Sequence, residues 1–127
     1  MNSLVEEGRK QPCVLVVDDQ PKILRFIEIN LKLHGFFVIT ATSGEKALKL
    51  VGSAKPDIML LDIVMPHPDG FDILKELRAY NQLPVIVFSA FPENFSRALL
   101  LGANDCITKP IKLDEMVIKI NKLLTVG

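Results

Sequence analysis

At 127 residues, with 15 Lys and Arg balanced by 15 Asp and Glu, the chain suits one domain burying about two-thirds of the surface its unfolded form exposes, and its net charge asks for neither nucleic acid nor an anionic membrane. The first dozen residues, MNSLVEEGRKQP, lack the apolar stretch of a secretion signal, and no later run nears the roughly 18 apolar residues of a membrane span, so a cytoplasmic protein is expected. Cys13 and Cys106 stand far apart in apolar runs, without CxxC spacing or neighbouring histidines, so buried thiols are expected rather than zinc ligands.

In chain order, the polar stretch 1–11 is expected as a flexible N-terminal tail, with one folded unit over 12–127. CVLVV (13–17) reads as a strand buried on both faces, because it is apolar throughout instead of alternating. After it, Ile23, Leu24, Ile27 and Leu31 fall on one helical face, with Pro21 in the first turn and Gly35 as a stop. FFVIT (36–40) is the second strand, and Ser43 is placed to cap a helix carrying Ala47, Leu48 and Val51. DIMLL (57–61) is the third strand, and Asp69-Gly70 precedes a helix with Phe71, Leu74 and Leu77 on one face. PVIVF (84–88) is the fourth, followed by Phe95, Leu99 and Leu100 at helical spacing before Gly102. DCIT (105–108) is the fifth, and Leu113, Met116, Val117, Ile120 and Leu124 close the pattern. Five alternations of strand and helix predict a doubly wound α/β domain, because parallel neighbours need crossovers, which here are helices covering both faces of the sheet.

In an open parallel sheet the binding crevice lies outside the carboxyl ends of the strands. The polar residues at those ends are Asp18 and Asp19, Asp62, Ser89 and Lys109. Any one of them could be a turn former or a solvated loop residue, but their arrival at the same end of four strands points to a joint site. Two adjacent carboxylates raise each other's proton affinity unless a cation sits between them. Oxygen ligands without imidazole or thiolate suit Mg²⁺, or Mn²⁺. With a cation, a lysine and a hydroxyl around it, Asp62 is placed to act as a nucleophile in phosphoryl transfer, forming an aspartyl phosphate.

The set DD (18–19), LLDIVMPHPDG (60–70), SA (89–90) and LGANDCITKP (101–110) resembles the receiver domain of two-component response regulators over about residues 13–124. The resemblance implies a flavodoxin-like five-stranded sheet of order 2-1-3-4-5. It implies that Asp62 takes a phosphoryl group from a phosphohistidine on a sensor histidine kinase or a histidine phosphotransfer protein, after which the output surface switches toward a downstream effector. It further implies that Asp18, Asp19, Asp62 and the backbone carbonyl of Val64 hold Mg²⁺, that Ser89 moves to a phosphoryl oxygen, that Lys109 pairs with it, and that the Lys109-Pro110 bond is cis. The chain would catalyse only its own phosphorylation and dephosphorylation. It would contact proteins and not nucleic acid or membrane, as a monomer or a phosphorylation-dependent homodimer, either standing alone or as part of a longer regulator or hybrid kinase.

Members of that family usually carry Tyr or Phe where this chain has Cys106, which is expected to sit as a small buried residue and leaves the route to the output surface open. His67, between two prolines in MPHPDG, is expected on the loop surface rather than in the metal site. Two rival functions follow from the same residues. A haloacid-dehalogenase-type phosphatase would need an acid two residues after the nucleophile, where Val64 stands. A degenerate receiver serving only as a binding module would lack the acceptor, the lysine or the acidic pair, all of which are here.

Overall fold

The computed structural model of the protein describes residues 11–125. The stretch expected as a flexible tail lies, Gln11 apart, outside the described residues. Strands β1 (Cys13–Val17), β2 (Phe37–Ala41), β3 (Ile58–Asp62), β4 (Val85–Ser89) and β5 (Asp105–Thr108) form one parallel sheet in the order β2-β1-β3-β4-β5. Helices α1 (Pro21–Leu33), α2 (Gly44–Ala54), α3 (Gly70–Arg78), α4 (Phe95–Leu100) and α5 (Leu113–Thr125) supply the crossovers and the last layer. This is the doubly wound fold that the alternation of elements predicts, with the flavodoxin-like strand order that the resemblance implies. None of the helices among the described residues is long and apolar enough to cross a membrane.

The runs of β1, β3 and β4 become the central strands because each supplies side chains to two cores. Leu15, Val17, Met59, Leu61, Val85 and Val87 point to one face, where they meet Ala47 and Val51 of α2, Leu74 and Leu77 of α3 and Ala98 of α4. The intervening Val14, Val16, Ile58, Leu60, Ile86 and Phe88 point to the other, against Leu24, Ile27 and Leu31 of α1 and Met116 and Ile120 of α5. The period of two along each strand sorts them. At roughly 1.5–3 kcal/mol for each fully buried aliphatic side chain, these two layers supply the main drive to fold.

Local signals set the helix ends. Pro21 opens α1, and Gly35 beyond its end has φ +90, a left-handed conformation that glycine adopts without penalty. Ser43 accepts a hydrogen bond from the Lys46 N–H at 3.3 Å and caps α2. Asp69 and Asp72 form a reciprocal capping box at the start of α3. Three strands are displaced one residue toward the C-terminus from the apolar runs, so that Asp62 and Ser89 are the last residues of β3 and β4 rather than the first of the following loops. The expected apolar face of α4 is also different. Ala98 is its buried residue, while Leu99 and Leu100 stand exposed.

Candidate functional site

The sheet order reverses at β1 and β3, and the crevice opens where these strands end. Asp18 follows β1 and is fully buried. Its N–H donates to the Ala41 carbonyl at 3.2 Å, and its Oδ1 accepts from the Gln20 N–H at 2.8 Å. Its other oxygen, Oδ2, is buried with no hydrogen-bond partner among the described residues. Asp62, almost as buried, ends β3 and accepts the Val64 N–H on Oδ1 at 3.3 Å. One carboxylate oxygen from each of Asp18, Asp19 and Asp62 lies within 4.8 Å of the others.

The ammonium of Lys109 completes this arrangement from the end of β5. It lies 3.4 Å from Asp62 Oδ2 and 3.6 Å from Asp18 Oδ2, and 5.2 Å from the centre of the Phe88 ring, which offers its negative face. The Lys109 N–H donates to the Ser89 carbonyl at 2.9 Å, which ties the lysine to the end of β4. The Lys109-Pro110 bond is cis, in line with expectation, and so is His67-Pro68, which no sequence signal had indicated.

Among the described residues, a single cation among three carboxylates leaves negative charge uncompensated. Burial first, and then the neighbouring Asp18 charge, pushes the Asp62 carboxyl up to about 6, although Lys109 and the Val64 N–H pull the other way. Asp18 is raised too, chiefly by burial and also by Asp19. Buried like charges and an orphaned carboxylate oxygen are what a divalent cation would relieve, and hard oxygen donors fit a hard ion. The residues therefore fit Mg²⁺ or Mn²⁺ on their chemistry.

Of the residues singled out from the sequence, Asp18, Asp19, Asp62 and Lys109 meet in one cluster. Val64 adjoins it through its N–H, with its side chain half-exposed. Ser89 is buried at the neighbouring strand end, where its Oγ accepts hydrogen bonds from within its own loop. His67 lies outside, largely exposed, with Nδ1 3.2 Å from Asp72 Oδ2. Cys13 is buried at the start of β1, whereas Cys106 is half-buried. Burial, and next the charge of Asp105, pushes its thiol up, which favours the unreactive protonated form. The Lys119 ammonium, brought by α5, donates to the Cys106 carbonyl at 2.6 Å.

Two contributors escape sequence reasoning. Gly70 looked like a turn marker, but a Cβ there would lie 2.6 Å from Ile63 Cα and 2.8 Å from the Asp62 carbonyl oxygen. Only glycine lets α3 press so closely on the strand end that carries Asp62. Asn94, five residues after Ser89, directs its side-chain amide at the serine hydroxyl; nothing in its neighbourhood in the sequence marks it.

Comparison with known proteins adds a family. A profile described as the response regulator receiver domain matches residues 14–121. The transcriptional regulatory protein KdpE of Mycobacterium tuberculosis is 42% identical over 109 residues, which are 84% of this chain and 48% of that protein. The alkaline phosphatase synthesis transcriptional regulatory protein PhoP of Bacillus subtilis is 38% identical over 114 residues, 87% of this chain and 48% of that one. The chain thus spans about half the length of these curated relatives. Among solved structures, the receiver domain of the Francisella response regulator 1452 is similar with a TM-score of 0.84 and 38% identity, covering 90% of this chain and 97% of that one. The BeF3-activated N-terminal receiver domain of Klebsiella pneumoniae RstA also gives a TM-score of 0.84, at 27% identity, over 89% and 98% of the two chains.

Proposed function

The chain belongs to the response regulator receiver domain family, and from that premise we propose that it is a phosphoryl-accepting switch in which Asp62 takes the phosphoryl group of a phosphohistidine on a sensor histidine kinase or histidine phosphotransfer protein. The observation that carries this reading is the position of Asp62. It is a buried carboxylate 3.4 Å from the Lys109 ammonium, beside a second buried carboxylate with an orphaned oxygen. In this reading Asp18, Asp19, Asp62 and the carbonyl of Val64 hold Mg²⁺, or Mn²⁺ in its place. When bound, such an ion neutralises charge on the oxygens of a transferring phosphoryl group.

The remaining steps fall to the protein. Asp62 attacks phosphorus with a carboxylate oxygen, forming a P–O bond as the bond from phosphorus to the donor histidine nitrogen breaks, and that nitrogen keeps the electron pair. Burial keeps water away from the nucleophile, and the Val64 N–H on Oδ1 leaves Oδ2 facing Lys109. Lys109 then pairs with a phosphoryl oxygen, and Ser89 turns its hydroxyl proton toward another. An apolar cavity of about 480 Å³ beside Lys109, lined by Ile23, Phe26, Ala90, Pro110 and Ile111, supports the approach of a donor protein from that side.

The chain is in this reading no enzyme for a separate substrate; it promotes its own phosphorylation and dephosphorylation. It acts through a downstream effector protein or domain, without touching nucleic acid itself, as a monomer or a phosphorylation-dependent homodimer in the cytoplasm. Incubation with acetyl phosphate and Mg²⁺ should add one phosphoryl group, detected by intact-mass measurement, and Asp62→Asn or chelation of Mg²⁺ should abolish the addition. Full labelling of the Asn variant would remove Asp62 from the nucleophile's role.

A further inference from the structure

A hydroxyl has one proton to give and two lone pairs to offer. Both lone pairs of Ser89 are taken from within its own loop. The Phe91 N–H donates to Oγ at 3.0 Å, and the side-chain amide of Asn94 does so at 3.4 Å. Asn94 ends the 3-10 turn Pro92–Asn94 that leads into α4, and its N–H closes that turn on the Phe91 carbonyl at 3.0 Å. The resting hydroxyl is therefore joined to the front end of α4 by one side chain.

The far end of α4 is fastened differently. Arg78, at the end of α3, donates from Nε and Nη2 to the Gly102 carbonyl at 3.0 and 2.9 Å, and from Nη2 to Asn104 Oδ1 at 3.1 Å. Charge-assisted bonds of this forked kind are the stronger class. Between the two ends the helix is held lightly. Ala98 is its buried residue, Phe95 packs at the edge of the core, and the Arg97 guanidinium lies 4.2 Å from the centre of the Phe71 ring. A segment with so few buried apolar groups belongs to the low-stability end of a fold.

We propose that Asn94 is a positioning residue, a latch through which the Ser89 hydroxyl holds α4 in its resting place while the Arg78–Gly102 clamp fixes the other end. This rests on the reading of Asp62 as phosphoacceptor. When Ser89 turns its proton toward a phosphoryl oxygen, its own oxygen moves off the Asn94 amide. Asn94 is half-buried and its bond to Ser89 partly so, so losing this partner favours a rearrangement of the turn that satisfies the amide. The front of α4 is released and the clamped end acts as pivot. Because the resting bond opposes the switch, deleting it favours the active arrangement. The bond is long, so the effect is about two- to fivefold in the equilibrium, the lower part of what one neutral hydrogen bond contributes.

The test is calorimetric titration with beryllofluoride in saturating Mg²⁺, beryllofluoride standing in for the phosphoryl group on the Asp62 carboxylate. Asn94→Ala should bind about two- to fivefold more tightly than wild type, and the gain should vanish in the Ser89→Ala background, where no hydroxyl remains to be latched. Hydrogen exchange over 91–96 in the free Asn94→Ala protein should speed up, while the amides of 102–104, which bond to the end of α4 and to β4 beside the Arg78 clamp, stay as slow as in wild type. A merely structural Asn94 would change affinity equally with Ser or Ala at position 89, and that result overturns the latch. Unchanged affinity in Asn94→Ala also overturns it while leaving the acceptor reading standing. A wild type that takes no beryllofluoride at all overturns both.

Discussion

Removing the charge of Asp62 should make the metal-free protein more stable. Its carboxyl lies at about 6 instead of 3.8, mainly through burial and secondarily through the Asp18 charge. A group that holds protons more tightly when folded lowers stability as pH rises between its unfolded and folded values, so wild type should lose stability from about pH 4 to about pH 6 and level off above. At about 1.4 kcal/mol per pH unit, ionised Asp62 opposes folding by about 3 kcal/mol at most. Asp62→Asn keeps the outline and can still accept the Val64 N–H, but gives up the pairing with Lys109. A net gain of about 1–3 kcal/mol is therefore expected near pH 7.5 in chelator, or about 0.7–2 M in the urea midpoint at an m-value of about 1.5 kcal/mol/M. Near pH 5 the gap should shrink, because wild type is then protonated. Saturating Mg²⁺ should also narrow it, because the Asn variant offers one carboxylate fewer to an ion that stabilises only the folded state. An Asn variant no more stable than wild type in chelator near pH 7.5 would refute the claim that burial and Asp18 oppose the charge on Asp62.

Asp19→Asn should raise the Mg²⁺ dissociation constant by calorimetry about tenfold or more, whereas Glu45→Gln on exposed α2 surface should change it less than about twofold; equal losses would remove Asp19 from the metal site. Cys106→Ala should leave the phosphorylation-induced change in hydrogen exchange over 89–101 largely intact, while Ser89→Ala suppresses it; the reverse order would make the half-buried thiol part of the switch. Val64 and Phe91, two residues past Asp62 and Ser89, are apolar and half-exposed, so neither can orient a water toward phosphorus and self-dephosphorylation should be slow. A Val64→Asn, Phe91→Glu double variant should lose its phosphoryl group faster in Mg²⁺, and equal decay rates would show that no apolar gate exists.

The sheet and its crevice were legible because both depend on signals local to each strand. A strand buried on both faces reads as an unbroken apolar run, and the first polar residue after it marks the strand's carboxyl end. CVLVV followed by Asp18 and DIMLL followed by Asp62 carry that information in a few residues. What could not be read depends on partners brought from elsewhere. Gly70 matters because α3 presses on the backbone of Ile63, and Lys119 reaches the Cys106 carbonyl from thirteen residues away. In α4 the periodic rule chose the large residues Leu99 and Leu100, yet the space against the sheet admits Ala98, since spacing tells which residues share a face but not which face the core leaves room for. That difference bears on function. A helix with Leu99 and Leu100 buried would gain several kcal/mol of core packing, far more than one hydroxyl could overcome by changing its hydrogen-bond partner. With Ala98 inward, α4 forgoes that packing, so in the reading proposed for Asp62 the front of the helix is held weakly enough for the loss of one bond between Asn94 and Ser89 to matter.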